Sequence, residues 1–490
     1  MPEEKEPEPL VFQAGEKIGD YTITEKIDEG GFGQVFKVSK DNEKYAMKIE
    51  PAEQEGGSAI KLEMDVMIIL RKHLNISKGP NGKVTRDEAR PYYFPRCMHV
   101  GRRERYHFLV MDLLGENLRT ARYSAPNSDK ITPGTWSRIG IQCLYILKTM
   151  HDVGFVHRDL KPANFAFGHS SNPLKCRQLH LLDFGLARRF LLPKQSLNPS
   201  NRAKSSDRAK CPTLDGTEQW TQRDKFEVLN KEDYGFRLPR KKTAFRGTSH
   251  YASSNAFRLW ELGRVDDCWS LLYMLAEMSR ELPWNGLQED DKIKVIKYRT
   301  SVMDLLGPGW EAVDEDLSNG NYFTSPKYGL IYSKLKEVME ESKAKWDDPY
   351  DWETKDKPTY LQWKAVAEKE KQAEWDDPAF FNKICWQDKE KEGIDVMAID
   401  GKEKGKNDKK EEKREGNNME PSTANAPEAK SIGKKLTTGK NNEKASKLQP
   451  LVDNNGKIKG KSDEGTERGK KDEKKDEKKK GAEKKKNTKK

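Results

Sequence analysis

The chain has no apolar run approaching about 18 residues, so no segment is expected to cross a bilayer as a helix. It has no Cys-x-x-Cys pair. Its six cysteines, at 97, 143, 176, 211, 268 and 385, are far apart, which argues against a disulfide framework or zinc site and for reduced intracellular thiols. The opening MPEEKEPEPL is acidic and proline-rich. It lacks the basic start and apolar stretch of a secretory leader, so a cytoplasmic or nuclear location is expected. Residues 401–490 lack Phe, Tyr and Trp altogether. That stretch holds 29 Lys+Arg and 17 Asp+Glu, a net +12. The first 400 residues hold 62 and 63, a net −1, so the tail carries all of the chain's excess charge of +11. Without aromatics it cannot bury enough surface to offset its ordering entropy, and it reads as a disordered, lysine-rich tail.

What remains is a body long enough for one or two domains with real cores. YTITEKI, VFKVSK and YAMKIE, between Tyr21 and Glu50, read as strands joined by glycine-rich turns. AIKLEMDVMIILRKHL has apolar residues at helical spacing, and YHFLVMDLL reads as a buried strand. Beyond it the texture turns helical, as in TWSRIGIQCLYILKTMHDVG and DCWSLLYMLAEMSREL. An α+β body follows, with a small β-rich lobe ahead of a larger helical one. Two polar stretches interrupt it. Ser77–Arg90 reads as an extended loop, and Leu191–Tyr234 as a longer insertion. Trp346-Asp-Asp-Pro recurs at Trp375, and the tryptophans are expected to pack an extension onto the body.

Gly30-Gly31-Phe32-Gly33-Gln34-Val35 lies between two of the strands. Glycines let backbone N–H groups approach phosphate oxygens, and a following strand favours a flap over a nucleotide rather than a dinucleotide turn. Lys48 on the third strand and Glu63 on the helix could form a phosphate-bridging cation and its partner. Val156-His157-Arg158-Asp159-Leu160-Lys161-Pro162-Ala163-Asn164, followed by Asp183-Phe184-Gly185, decides the reading. Phosphoryl transfer from ATP needs a carboxylate to orient the acceptor, hard oxygen ligands for metal, and a cation for developing charge. Asp159 fits the first, Asn164 and Asp183 the Mg²⁺ ligands, and Lys161 the last. His157 and Phe184 fit apolar packing that locks the two loops together.

At these residues the chain resembles the eukaryotic protein kinases, over roughly residues 21–353. Phe245-Arg246-Gly247-Thr248-Ser249-His250-Tyr251-Ala252-Ser253-Ser254-Asn255 stands where most kinases have Ala-Pro-Glu, and it resembles the casein kinase 1 superfamily, in particular its tau-tubulin kinase-like branch. Gly263-Arg264-Val265-Asp266-Asp267-Cys268-Trp269-Ser270, Leu282-Pro283-Trp284 and Tyr322-Phe323-Thr324 are similar to that branch too. The resemblance implies a two-lobed ATP- and Mg²⁺-dependent serine/threonine kinase acting on protein substrates. Ile27, Gly30, Gly31, Phe32, Gly33, Val35, Ala46 and Lys48 would surround ATP, with Glu63 holding Lys48. Met111 would be gatekeeper, and Asp112 and Leu113 the hinge. Arg158 and Asp267 would support the catalytic loop.

Three departures from the pattern stand out. Asp28 occupies the place of the flap's first glycine, either repelling the triphosphate or facing water. His250 replaces an arginine of the branch's substrate anion pocket. Either Arg246 and Lys297 complete that pocket, or His250 is an ordinary loop residue. The 191–234 insertion is either a tolerated loop or a target of autophosphorylation near Arg158. The expected organisation is a flexible N-terminus at 1–19, a kinase domain at 20–353 divided after residue 112, an extension at 354–400 and the tail at 401–490. The tail is either a solvated spacer or a binder of acidic polymers such as microtubules or RNA. The body is expected to be monomeric. A rival reading is a pseudokinase scaffold, favoured only by Asp28.

Overall fold

The computed structural model describes residues 10–31, 33–53, 58–74, 76–78, 84–86, 93–194, 233–367 and 375–386. The basic tail, Phe32 and most of the 191–234 insertion lie outside the described residues.

Strands β1 (Lys17–Ile18), β2 (Tyr21–Gly30), β3 (Gly33–Lys40) and β4 (Glu43–Pro51) run antiparallel in succession, and helix α1 (Ile60–Leu74) follows. A short hairpin comes next, β5 (Ile76–Lys78) against β6 (Val84–Arg86). Strands β7 (Cys97–Arg102) and β8 (Tyr106–Asp112) then complete a six-stranded sheet in the order β1-β2-β3-β4-β8-β7. Alternation decides its faces. Ile23, Phe36, Val38, Met47, Ile49, Phe108 and Val110 bury together on one side, while Leu109 joins the core shared with α1.

Two expectations fail in this lobe. The loop expected at 77–90 contains most of the β5–β6 pair, which runs from Ile76 to Arg86. The N-terminus is not loose from residue 10 onward. The Phe12 ring meets Phe36 and Tyr106 edge-on at 5.7 and 5.1 Å, and Gln34 Nε2 donates to the Leu10 carbonyl at 3.2 Å.

The helical lobe contains α2 (Leu118–Ser124), α3 (Pro133–Asp152), β9 (Phe155–Val156), a 3-10 turn (Pro162–Asn164), β10 (Phe165–Phe167) and β11 (Leu179–Leu181). Next come β12 (Arg188–Arg189), β13 (Leu191–Pro193) and β14 (Tyr234–Phe236). These short strands pair β10 with β11, β12 with β9, and β13 with β14. The insertion therefore springs from a two-stranded base. Helices α4 (Ser254–Phe257), α5 (Arg264–Ser279), α6 (Asp290–Lys297), α7 (Val302–Leu306), α8 (Glu311–Ser318) and α9 (Tyr328–Glu341) complete the lobe. The extension adds α10 (Pro358–Ala367) and α11 (Pro378–Asn382).

Helix α3 is buried along most of its length, packed against α5 and α9 through Ile139, Ile146, Leu147, Leu271, Leu275 and Leu335. Its start is fixed from the far end of the lobe. Asp351 accepts from Thr132 N, Thr132 Oγ1 and Thr135 Oγ1 at 2.7, 2.6 and 2.6 Å. One remote carboxylate thus does the work of a helix cap, because the cap residue Thr132 makes no capping bond of its own. Asp351→Ala is expected to lower stability by about 1–2 kcal/mol, the usual cost of a lost cap. Urea denaturation would read this as a lower midpoint at an unchanged slope, and an unchanged midpoint would remove Asp351 from the account of α3.

Candidate active site

The cleft face of the sheet is set by register. Val35, Lys48 and Leu109 lie opposite one another across β3, β4 and β8, and Lys37, Ala46 and Met111 form the next row on the same face. Gly33 ends the flap at a φ of 136°, and a Cβ there would sit 2.1 Å from the Ile49 carbonyl oxygen, so no side chain fits. Gly30 and Gly31 are exposed at the flap tip. Asp28 is exposed as well, accepts from Glu29 N at 2.8 Å, and pairs with Val35, which puts it on the cleft side of the flap. A cavity of about 460 Å³ opens at the cleft between Ile27, the hinge residue Leu113, Gly115 beyond it, and Trp352. Asp112 does not face the cleft. Its carboxylate takes Arg96 Nε at 2.7 Å and Arg96 N at 2.7 Å.

Deeper in, Lys48 is 7% exposed and donates to Glu63. It also lies 3.3 Å from both Asp183 Oδ1 and Glu50 Oε1. Burial disfavours its charge, but Glu63, Asp183 and Glu50 together raise its pKa above the usual lysine range. Burial pushes the Glu63 carboxyl up to about 7, with Lys48 pulling against the rise. For Asp183 burial is opposed by Lys48, His157 and Lys161, which hold its carboxyl below the ordinary range. Asp183 thus keeps a charged carboxylate beside Lys48, a hard oxygen donor that suits a divalent cation.

The loop after β9 presents the second group. Asp159 is 6% exposed. Its Oδ2 accepts from Lys161 Nζ at 2.8 Å and its Oδ1 from Thr248 Oγ1 at 2.8 Å. Asn164 Nδ2 donates to the Asp159 carbonyl at 2.9 Å, which directs its Oδ1 away from that bond. His157 is buried, its Nε2 lies 2.9 Å from the Leu182 carbonyl, and its ring meets Phe184 edge-on at 5.7 Å. The two loops are therefore tied together. Asp267 Oδ2 takes His157 N and Oδ1 takes Arg158 N, at 2.7 and 2.8 Å. Gly247 has a φ of 100°, and a Cβ there would lie 2.8 Å from the Arg158 carbonyl. That close approach brings Thr248 to Asp159.

Comparison with known proteins agrees with this geometry. The protein kinase domain family matches residues 21–207. A Caenorhabditis elegans protein provisionally named a serine/threonine-protein kinase is 31% identical over 359 residues, covering 71% of this chain and 86% of its own. The chain belongs to the protein kinase family. A C. elegans protein provisionally named a casein kinase I is 28% identical over 343 residues, 68% of this chain and 83% of its own. A third, named an inactive tau-tubulin kinase, is 28% identical over 270 residues, 54% of this chain and 81% of its own. These likenesses place the kinase in the casein kinase 1 and tau-tubulin kinase branch, with ATP and a divalent metal as that family's requirements.

The expected substrate anion pocket does not assemble. Lys297 is 2% exposed, donates to the carbonyls of Ser249, His250 and Ala252 at 2.8, 3.0 and 2.6 Å, and lies over the Tyr273 and Trp284 rings at 4.5 and 4.7 Å. Burial drives its pKa well down. His250 Nε2 lies 3.3 Å from Glu277 Oε1, so an acid faces it instead of space for an anion. Arg246 is partly buried and adds its charge to the field at Arg158. Lys297 and His250 thus have partners of their own, while the buried Nε of Arg246 has none among the described residues.

Sequence reasoning missed three residues of the kinase. Thr248 is one. Glu261 is another; it is 5% exposed and holds Arg158, Arg188 and Arg240 at 3.4, 3.1 and 2.6 Å. Its partners come from distant stretches, so no local pattern marks it. The third is Glu50, two residues after Lys48 and therefore on the same strand face, a signal that was present in the spacing. Fully buried, Glu50 accepts through Oε2 from Ser58 Oγ, Ala59 N and Ile60 N at 2.9, 2.9 and 3.3 Å. It thereby fastens the start of α1, the helix that carries Glu63, to the strand that carries Lys48. Glu50→Ala is expected to cost about tenfold or more in kcat/KM, as misplacement of a positioned group does. Glu50→Gln keeps one acceptor oxygen and should retain most activity. Steady-state kinetics at varied ATP checks this, and parental kcat/KM in Glu50→Ala would show that α1 is held by other contacts.

Proposed function

We propose that this chain is a catalytically active, Mg²⁺-dependent serine/threonine protein kinase rather than an inactive scaffold. The observation that carries the reading is the bonding of Asp159. Its two oxygens are held at 2.8 Å by Lys161 and Thr248 at the mouth of a cleft whose Lys48 is already paired with Glu63 and beside Asp183.

Each residue then has a role. A Ser or Thr hydroxyl presented at Asp159 is oriented by that carboxylate, which takes the proton as the oxygen attacks the γ-phosphorus and the bond to the ADP oxygen breaks. Lys161, bonded to Asp159, places a cation where charge on the transferring group develops. Lys48, steadied by Glu63, serves the α- and β-phosphates. Asn164 and Asp183 offer the oxygen donors that would hold Mg²⁺, which when bound neutralises triphosphate charge. Asp28, on the cleft side of the flap, still favours an inactive chain. Five cysteines among the described residues are free thiols, which supports a cytoplasmic or nuclear setting.

Likeness to a relative named as an inactive kinase gives the scaffold reading its own support. Transfer of labelled phosphate from ATP to casein by the purified full chain separates the two. Asp159→Asn and Lys48→Met should each lose at least about 100-fold in kcat/KM, as loss of preorganised charge does. Equal rates for the parent and both variants would leave only the scaffold.

A further inference from the structure

The Trp-Asp-Asp-Pro repeat has no place in phosphoryl transfer, yet its second copy opens a segment, residues 375–386, that crosses the helical lobe to the base of the 191–234 insertion, in the activation segment that follows Asp183-Phe184-Gly185. Asp376 anchors its start. Its carboxylate accepts from Tyr332 Oη at 2.7 Å, from Trp346 Nε1 of the first copy at 2.8 Å and from Lys336 Nζ at 3.1 Å. Asp377 caps α11 through Ala379 N at 2.9 Å. Phe381 stacks on Tyr332 at 4.5 Å, and Phe380 lies 4.4 Å from the Tyr145 ring. Trp386, 8% exposed, then donates from Nε1 to the Asp152 carbonyl at 2.8 Å.

At Trp386 the segment reaches a charge that needs it. Arg264 opens α5 and is 2% exposed. Its Nη1 donates to the Trp386 carbonyl at 2.7 Å and its Nη2 to the Phe323 carbonyl at 2.9 Å. Its guanidinium lies over Phe190 and Phe236 at 4.9 and 5.5 Å. A buried cation is tolerated only where acceptors compensate it, and here the extension supplies one of the two carbonyls. Phe190 precedes, and Phe236 ends, the strand pair from which the long insertion springs. Trp386 shares one apolar cluster with both, and with Val156, the residue before His157. Phe190 N donates to Gly154 O at 2.9 Å, and β12 pairs with β9. A contiguous set of contacts thus runs from Trp386 to the loop that carries Asp159.

We propose that residues 375–386 are a latch on the activation segment, and that Trp386 is a positioning residue for phosphoryl transfer. The latch holds Arg264 and the Phe190–Phe236 base in register, and through Val156 it holds the catalytic loop. This rests on the kinase reading above. None of the contacts given above joins the latch to Lys48 or to the flap, so it acts on turnover and not on ATP affinity.

The test uses full-length Trp386→Ala and Trp386→Phe beside the parent and Asp159→Asn. Trp386→Ala should lower kcat about ten- to 100-fold, the range expected of a remote misplacement, and leave KM for ATP within about twofold. Trp386→Phe keeps the ring and should recover most of the loss. Hydrogen exchange supplies a readout that does not depend on activity. In Trp386→Ala the amides of 188–193 and 234–237 should exchange faster while those of β3 and β4 do not change. Parental kcat in Trp386→Ala would overturn the positioning role. Faster exchange throughout, β3 and β4 included, would reduce the segment to general stabilisation and overturn the latch, as would unchanged exchange at 188–193 and 234–237. A parent no faster than Asp159→Asn would instead defeat the kinase reading, and the exchange comparison would still decide the latch.

Discussion

Asp267 is 1% exposed, and its carboxylate binds two backbone N–H groups of the catalytic loop and the end of α3. It receives His157 N, Arg158 N and, at 2.9 Å, His151 Nε2. Burial works against its charge, but these bonds hold the carboxyl below the usual range. Arg158 sits at a φ of 71°, a conformation that a side-chain-bearing residue rarely adopts without support. Two backbone bonds to a carboxylate buried in α5 provide that support. Asp159 takes its direction from the same turn, so the position of the acceptor-orienting group depends on a residue more than a hundred positions later. Asp183, at a φ of 61°, is a second strained point, next to the Phe184 ring that His157 touches.

The rest of the helical lobe keeps α5 and α3 where Asp267 needs them. His151 links the end of α3 to Asp267 on one side and to Tyr328 Oη, 2.6 Å away, on the other. The start of α3 is held by Asp351, and Arg138 within it donates to the carbonyls of Gly134, Asp348 and Pro349. Arg177 lies over the rings of Tyr350 and Trp363 at 4.2 and 4.1 Å. The segment after α9 is therefore part of the frame and not an appendage. Buried cations recur in this frame, at Arg138, Arg177, Arg264 and Lys297, each facing carbonyls or rings. Such arrangements fix geometry, because a buried charge has few alternative positions that satisfy it.

Much of this was legible in the sequence where a short-range pattern carried it. Strict alternation in VFKVSK and YAMKIE marks β3 and β4, and the helical spacing of 59–74 marks α1. The catalytic loop and Asp183-Phe184-Gly185 are contiguous motifs, so their chemistry could be read without a fold. Contacts between distant residues were not legible. Lys297 was expected to help complete an anion pocket; its burial depends on Trp284 and Tyr273 enclosing it and three carbonyls turning inward. Asp112 was placed in the hinge by its position; that its side chain answers to Arg96 across the sheet was not visible there. The order of residues 10–18 depends on Phe12 finding Phe36 and Tyr106, which no local signal announces. The side-chain direction of Asp28 could not be decided from sequence because a flap residue can face either way.

The dependence of the site on Asp267 is measured most directly by Asp267→Asn. The substitution keeps the size of the side chain but replaces one acceptor oxygen with an amide NH₂, which then faces a backbone N–H donor and cannot bond it. Kinetics on the folded variant should show kcat lower by about 100-fold with KM for ATP little changed, because loop geometry is lost while the nucleotide contacts remain. A folded Asp267→Asn protein with parental kcat would contradict the account.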